Sequence, residues 1–205
     1  MMNELSELDN KDISVESIAE KALKDGKVLS ALLECVLSKN DTIRFNSHEV
    51  LLLLSEEHPT VLHSSWDFLE DLLDSDNNYH KFIALNLIAN LTKIDTANRF
   101  ERMFDKYYSI LDGERTMAAA HVAAKSGKIA RAKPHLQAEI TNRLLNIDKT
   151  HRGKQKELLK GHAIEALSEY FEEAEDKKRI IEFARQQLKS ESPRTRKAAE
   201  KFLGQ

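Results

Sequence analysis

A short pattern of side chains recurs along this chain at similar intervals. Each copy has a basic residue, a small residue three positions later and an apolar residue four positions after that. The basic residues are Arg44, Lys81, Arg115, Lys160 and Arg196, so the intervals are 37, 34, 45 and 36 positions. A period in the range of about 20–50 residues is typical of solenoids, in which similar units stack in a row. The recurrence therefore predicts a repeat array.

The first copy indicates which element carries the pattern. After Asp41, apolar and small side chains recur at spacings of three and four, which places them on one face of a helix. This face comprises Ile43, Ser47, Val50, Leu51 and Leu54. We expect Asp41 to cap the helix, because a short carboxylate can accept hydrogen bonds from free backbone N–H groups. Ser47 is the small member of the face and allows a neighbouring helix to come close.

Composition favours helices along the whole chain. Only six of the 205 residues are glycine and three are proline, and alternating Val, Ile and Thr residues are absent. Each copy of the pattern follows another amphipathic stretch, so the elements are expected in pairs. The sequence predicts an all-α fold, a right-handed α–α superhelix of about five helix pairs. Residues 1–13 are expected to be a flexible segment, and residues 14–205 a single repeat domain.

Several helix boundaries follow from local signals. Asp112 and Gly113 are expected to open the alanine-rich helix of the third pair, and Ser126 and Gly127 to end it. Ser192 and Pro193 are expected to be the cap and the first residue of the last helix, since proline is well tolerated at that position. A longer connection is expected from Asp148 to about Lys154.

The two-helix unit resembles the HEAT-repeat family over about residues 28–205. The resemblance depends on an Asp-x-x-Arg entry to the second helix, seen as Asp41/Arg44 and Asp112/Arg115, with a small and an apolar residue after it. The end of the first helix also matches the family in its Leu-x-Ser-x-Asn/Asp pattern. This pattern is seen from Leu37 to Asp41 and, in altered form, from Leu73 to Asn77. The fourth and fifth copies lack the aspartate, which leaves the register of the fourth unit open. Proteins of this family include scaffolds, regulatory subunits, nucleic-acid binders and a few enzymes. We expect this chain to be an interaction scaffold or adaptor without catalytic activity.

The aligned basic residues are expected to form a structural ladder. Arg44, Lys81, Arg115, Lys160 and Arg196 can bond carboxylates or carbonyls of adjacent turns and so hold the stack together. A role in binding a partner is the alternative for these positions.

Charge is distributed unevenly along the chain. Residues 1–76 contain 17 acidic and 6 basic side chains, a net charge of −11, whereas residues 121–162 contain 10 basic and 3 acidic ones, a net charge of +7. Such a local excess raises the concentration of anionic partners nearby. The predicted partner-binding residues are Lys125, Lys128, Arg131, Lys133, Arg143, Lys149, Arg152, Lys154, Lys156 and Lys160. The partner is expected to be a protein, with an acidic segment as one option.

Nucleic acid is the alternative partner of this basic section. Aromatic residues are nearly absent from it, so binding would be to phosphates and sensitive to salt. The corresponding rival function is a nucleic-acid-binding HEAT-like protein of the DNA-repair kind, similar to the alkylpurine glycosylases. Those enzymes use a Trp, an Asp and an Arg in a cleft. Here Trp66 has leucines at helical spacing and is expected to lie in the core, with Asp67 exposed.

Other signals for catalysis are weak. Cys35 lies in an apolar helical run and is expected to be a small core residue. His48 and Glu49 form one His-Glu pair, whereas the HEAT-type deoxyhypusine hydroxylases use several such pairs to hold iron. The sequence therefore predicts no enzyme, no cofactor and no metal.

The segments that would direct the chain to a membrane are missing from the sequence. The N-terminus is acidic and lacks the basic and apolar parts of a signal peptide. No apolar run approaches the ~20 residues that span a bilayer. These observations predict a cytoplasmic protein without a membrane partner.

Overall fold

The computed structural model describes residues 5–204, and every regular element in that range is a helix, as expected for an all-α fold. Twelve α-helices are joined by turns and by short 3-10 helices. The α-helices are α1 Val15–Lys24, α2 Gly26–Cys35, α3 Asp41–Glu57, α4 Trp66–Leu72, α5 Asn78–Leu91, α6 Arg99–Asp112, α7 Thr116–Ala132, α8 Gln137–Leu145, α9 Ile147–Thr150, α10 Lys156–Ser168, α11 Lys177–Gln187 and α12 Pro193–Leu203. The 3-10 helices are Ser6–Asp9, Pro59–Ser65, Thr92–Ile94 and Pro134–Leu136. No helix in this range is both long and apolar enough to cross a bilayer.

The chain divides into two compact units, Met1–Ile94 and Asp95–Gln205. The first, called here the N-terminal unit, has 17 acidic and 8 basic side chains and a net charge of −9. The second, the C-terminal unit, has 17 acidic and 23 basic side chains and a net charge of +6. The expectation of a single domain over residues 14–205 stays a prediction.

The N-terminal unit is built from two helix pairs preceded by α1. Helix α2 pairs with α3, and the segment from Pro59 through α4 pairs with α5. The apolar stripes of these helices meet in a core. Its fully buried residues include Leu51, Leu54, Trp66 and Leu85. Trp66 is fully buried and Asp67 is exposed. Trp66 therefore belongs to the core and not to a cleft.

The C-terminal unit contains three pairs, α6 with α7, α8 with α10, and α11 with α12. Its core is rich in aromatic residues, and Tyr107, Tyr108 and Tyr170 are fully buried. The buried hydroxyl groups have partners: Tyr108 donates to Ser126 Oγ at 3.0 Å, and Tyr170 lies 2.8 Å from Thr141 Oγ1. Burial raises the pKa of Tyr170 to about 12, so its phenol stays protonated at neutral pH.

Helix α7 differs from its predicted bounds at both ends. It begins after Arg115, and Asp112 is the last residue of α6, so Asp112 does not cap α7. It also continues through Ser126 and Gly127 to Ala132. Gly127 is needed for packing: a Cβ there would lie 2.7 Å from the carbonyl oxygen of Ala166 on α10. The glycine therefore permits a close helix contact and does not end the helix.

The cap of α3 is Asn40 and not the expected Asp41. The backbone of Asn40 is extended, and its side-chain oxygen accepts hydrogen bonds from the N–H groups of Thr42 at 2.9 Å and Ile43 at 3.4 Å. Asp41 is the first helical residue and forms an ion pair with Arg44. At the last helix, Ser192 caps α12 and Pro193 is its first residue.

Residues 6–10 lie against α3 in the structure. Asn46 donates from one amide nitrogen to the carbonyl oxygens of Leu8 at 2.9 Å and Asn10 at 2.8 Å. Leu8 is fully buried, and Lys21 pairs with Glu7. The expected flexibility of residues 1–13 stays a prediction about motion, and residues 1–4 lie outside the described range.

Candidate partner-binding surfaces

Three of the five ladder residues bond the turn that precedes their own helix. Arg44 Nη1 donates to the carbonyl oxygen of Ser38 at 2.8 Å, and Arg196 Nη1 donates to that of Ser190 at 2.6 Å. Lys81 Nζ donates to the carbonyl oxygen of Leu73. Leu73 directly follows α4, and Ser38 and Ser190 each lie three residues after the end of the first helix of their pair. The three cations therefore join the two helices of a pair.

The other two ladder residues differ from this arrangement. Lys160 lies in the first half of α10 and pairs with Asp148 at 3.2 Å and with Glu157. Arg115 is the residue that precedes α7, so it does not occupy the helical position that Arg44 has in α3. The interval of 45 positions between Arg115 and Lys160 reflects this change of register and the insertion of α9.

The structure places four of the ten predicted partner-binding residues in ion pairs within the C-terminal unit. Lys133 is buried and contacts Asp95 at 3.1 Å and Glu101 at 3.0 Å. Arg143 lies 2.5 Å from Asp105. Arg131 lies 2.9 Å from Glu169, and Lys160 is paired as described. Lys125 and Lys128 are half-buried on α7 and have interactions of their own. The predicted set is therefore not one continuous free surface.

The remaining four residues, Lys149, Arg152, Lys154 and Lys156, lie close together from α9 to the first residue of α10. The first three are exposed. Within residues 5–204, Lys149 and Lys154 have no acidic partner. Lys156 Nζ donates to the carbonyl oxygen of Asp148 at 2.6 Å. We call residues 149–156 the basic loop.

The base of the basic loop is fixed to the turn between α6 and α7. The backbone N–H of Arg152 donates to the carbonyl oxygens of Asp112 at 3.2 Å and Gly113 at 3.3 Å. His151 is buried, and its Nδ1 lies 2.8 Å from the carbonyl oxygen of Leu111. A Cβ on Gly153 would lie 2.6 Å from the carbonyl oxygen of Glu114. Arg152 Nε also donates to the carbonyl oxygen of Asp112 at 3.4 Å. These contacts order the backbone, while the side chains of Lys149 and Lys154 remain exposed.

A second basic surface, which the charge count over residues 121–162 missed, lies between α10 and α12. The second turn of α10 touches the first turn of α12, where a Cβ on Gly161 would lie 2.7 Å from Thr195 Oγ1. Further along, the rings of Phe171 and Phe202 meet edge to face with centroids 5.0 Å apart. Between these contacts lies a groove of about 490 Å³. Its lining residues are Ile164, Glu165, Ser168, Arg194, Lys197, Ala198, Lys201 and Phe202. We call it the α10–α12 groove.

The charges of this groove are partly neutralised. Arg194 lies 2.8 Å from Glu165 and 3.2 Å from His162 Nδ1. Burial and the nearby Arg194 lower the pKa of His162, although Glu165 acts in the opposite direction, so His162 is neutral at pH 7. Lys197 and Lys201 are exposed and have no acidic partner within residues 5–204. The groove therefore has two unpaired cations beside an apolar floor.

The N-terminal unit has a groove of about 400 Å³ between α3 and α5. Phe45 and Tyr79 line it and are 61% and 58% exposed. The guanidinium of Arg44 lies 4.5 Å from the centre of the Tyr79 ring. Phe45 does not belong to the apolar stripe of α3. Its exposure could therefore have been predicted from the sequence, because an aromatic residue on the polar face of a helix points to solvent.

The described residues do not assemble a metal site, since no group of three or more His, Cys, Asp and Glu side chains with suitable geometry occurs in them. His48 Nδ1 lies 3.2 Å from Glu49, the single His-Glu pair of the sequence. Cys35 is half-buried, and burial raises the pKa of its thiol, which lowers its reactivity at neutral pH.

No family model matches this chain, and no curated protein matches it. Among solved structures, the chain is similar to a designed armadillo repeat protein, YIII(Dq)4CqI, with 15% sequence identity and a TM-score of 0.58. The similarity covers 99% of this chain and 90% of the designed protein. It confirms the predicted α-solenoid repeat fold.

Proposed function

We propose that this chain is a non-catalytic, cytoplasmic protein-binding module built from HEAT-like helix pairs, and that its basic loop docks an acidic segment of a protein partner. The observation that carries the proposal is the exposure of Lys149, Arg152 and Lys154 on a backbone that is fixed at its base. Repeat arrays present extended surfaces of this kind to partners.

The electrostatic setting supports an anionic partner. The basic loop belongs to a unit with a net charge of +6, and Lys149 and Lys154 have no acidic partner among residues 5–204. A carboxylate that approaches them replaces water without breaking an existing ion pair. Because the loop residues are charged and not aromatic, base stacking has no platform there, which favours an acidic protein segment over a nucleic acid.

The test is a binding measurement with a labelled peptide of alternating glutamate and glycine at low and moderate salt. We expect Lys149→Glu with Lys154→Glu to weaken binding by about five- to tenfold, because two attractive contacts become repulsive. The matched control is Lys178→Glu with Lys189→Glu, which changes the charge of the same unit by the same amount at exposed lysines on and just after α11.

Two outcomes would overturn the proposal. Equal weakening by the control variant would mean that only the net charge of the unit matters. The second outcome is that the chain binds single-stranded or duplex DNA more tightly than the peptide and loses this binding on Lys149→Glu with Lys154→Glu. The basic loop would then be assigned to a nucleic acid instead.

A further inference from the structure

We infer that the α10–α12 groove is a second docking surface and that its occupant is an acidic amphipathic helix of a partner protein. The inference concerns a surface away from the basic loop and does not depend on what that loop binds. It stands on the shape of the groove, its apolar floor and its two unpaired lysines.

The shape of the groove is set by two contacts. At one end the helices approach until Gly161 meets Thr195, whose hydroxyl donates to the carbonyl oxygen of Glu157. At the other end Phe171 packs on Phe202. The groove beside these contacts has a volume of about 490 Å³ and accepts a few apolar side chains from solvent. Both walls are rigid helices, so the groove is already formed before a partner arrives.

The floor of the groove is apolar. Ile164 from α10 and Ala198 and Phe202 from α12 line it. Ala198 and Phe202 are each 8% exposed and Ile164 is 1% exposed, so most of each side chain is packed in the core and only a small apolar surface faces the groove. An apolar anchor placed on this floor removes both its own surface and that of the groove from water, which favours association.

The rim selects the charge of the occupant. Lys197 and Lys201 are one helical turn apart and therefore lie on the same side of α12. Arg194 is held by Glu165, so the one acidic group of the lining is already neutralised. The lining therefore has a net charge of +2, which attracts carboxylates and repels basic segments.

These features together indicate a helix with an apolar stripe and flanking glutamates. Docking of an apolar helix face in a groove is a common mode of peptide recognition. Carboxylates spaced by one turn on the occupant match the spacing of Lys197 and Lys201, whereas an acidic segment without apolar anchors leaves the floor exposed.

The test uses a labelled synthetic helix of leucine and glutamate, with leucines at spacings of three and four, and a scrambled peptide of the same composition. Binding to the full chain is measured by fluorescence anisotropy. We expect the ordered peptide to bind at least about fivefold more tightly than the scrambled one. We expect Lys197→Glu with Lys201→Glu to weaken its binding about tenfold. Lys178→Glu with Lys189→Glu is the matched control and should leave the affinity within about twofold.

A second variant tests the floor without changing charge. Ala198→Phe fills the groove and should weaken binding of the ordered peptide by about fivefold or more, while circular dichroism reports whether the helices remain folded. If Ala198→Phe unfolds the unit, Lys197→Ala with Lys201→Ala is measured instead. Both lysines are exposed, so this variant should stay folded, and it should weaken binding of the ordered peptide if the groove is the binding site.

Three results would overturn the inference: equal binding of the ordered and scrambled peptides, no binding of the ordered peptide, or equal loss in the groove and control variants. Loss of binding on Lys149→Glu with Lys154→Glu alone would place the peptide on the basic loop. That result would support the proposed function of the basic loop and contradict the inference about the α10–α12 groove.

Discussion

Arg44 and Arg196 occupy equivalent positions in α3 and α12 and make the same contact. Each lies four residues after the helix cap, which is Asn40 or Ser192, and each donates to the carbonyl oxygen six residues before it. The serine that supplies this carbonyl also accepts, through its hydroxyl, the backbone N–H of the cap residue. A single local motif therefore closes the turn of the first and the last described pair.

Arg44→Ala should lower the free energy of unfolding of the chain by about 1.5–3 kcal/mol, because the Arg44 side chain is nearly buried and the carbonyl of Ser38 loses a charged donor. Urea unfolding followed by circular dichroism measures the change. Lys39→Ala is the control, since Lys39 is an exposed residue of the same turn. Equal effects of the two substitutions would show that the guanidinium does not hold this turn.

Gly127→Ala should destabilise the C-terminal unit although alanine favours helices. The new Cβ would lie 2.7 Å from the carbonyl oxygen of Ala166, which is backbone and cannot move away without shifting α10. Overpacking of this kind costs about 1–3 kcal/mol, which equals or exceeds the roughly 1 kcal/mol gained in helix propensity. Thermal unfolding measures the net effect.

Gly26→Ala provides the comparison for Gly127→Ala. Gly26 is the first residue of α2, and a Cβ there meets no atom within 4 Å. The substitution should be neutral or stabilising by about 0.4–1 kcal/mol, because it restricts the unfolded chain. If both glycine substitutions stabilise to the same extent, the close contact between α7 and α10 is not needed.

Features that depend on neighbouring residues could be predicted from the sequence, whereas contacts between distant residues could not. The cap at Ser192 and the burial of Trp66 were predictable because each depends on residues within a few turns. The interruption expected at Gly127 was wrong because that glycine serves a contact with Ala166, which lies 39 positions away. Lys133 belongs to the basic section in the sequence, yet Asp95, 38 positions earlier, pairs with it in the core. Spacing along one helix does not reveal such distant partners.

Asp95 should make the free energy of unfolding of the C-terminal unit depend on pH in the acidic range. Its burial acts to raise its pKa, but hydrogen bonds from the N–H groups of Phe100 and Arg99, both at 2.9 Å, and the contact with Lys133 outweigh burial and hold the pKa below its usual value. The stabilisation is therefore present above the unfolded-state pKa of about 3.9 and is lost as the pH falls through the lower folded-state pKa.

Asp95→Asn should remove this component of the acid dependence and cost about 1.5–3 kcal/mol at pH 7, because Lys133 loses one of its two carboxylate partners and keeps Glu101. Urea unfolding between neutral pH and pH 3 measures both effects. Glu182→Gln changes an exposed carboxylate on α11 and should alter neither. An unchanged pH slope in Asp95→Asn would show that the carboxylate is not stabilised by its neighbours.

Asn46→Ala should release residues 5–10 from α3. Its amide nitrogen holds the carbonyl oxygens of Leu8 and Asn10, and no other described side chain donates to them. Losing both contacts should lower the stability by about 1–3 kcal/mol and increase amide hydrogen exchange in the N-terminal peptide. Lys21→Ala removes only the exposed ion pair with Glu7 and should change stability by less than about 1 kcal/mol. If exchange in Asn46→Ala matches that in Lys21→Ala, the burial of Leu8 and not the amide holds the segment on α3.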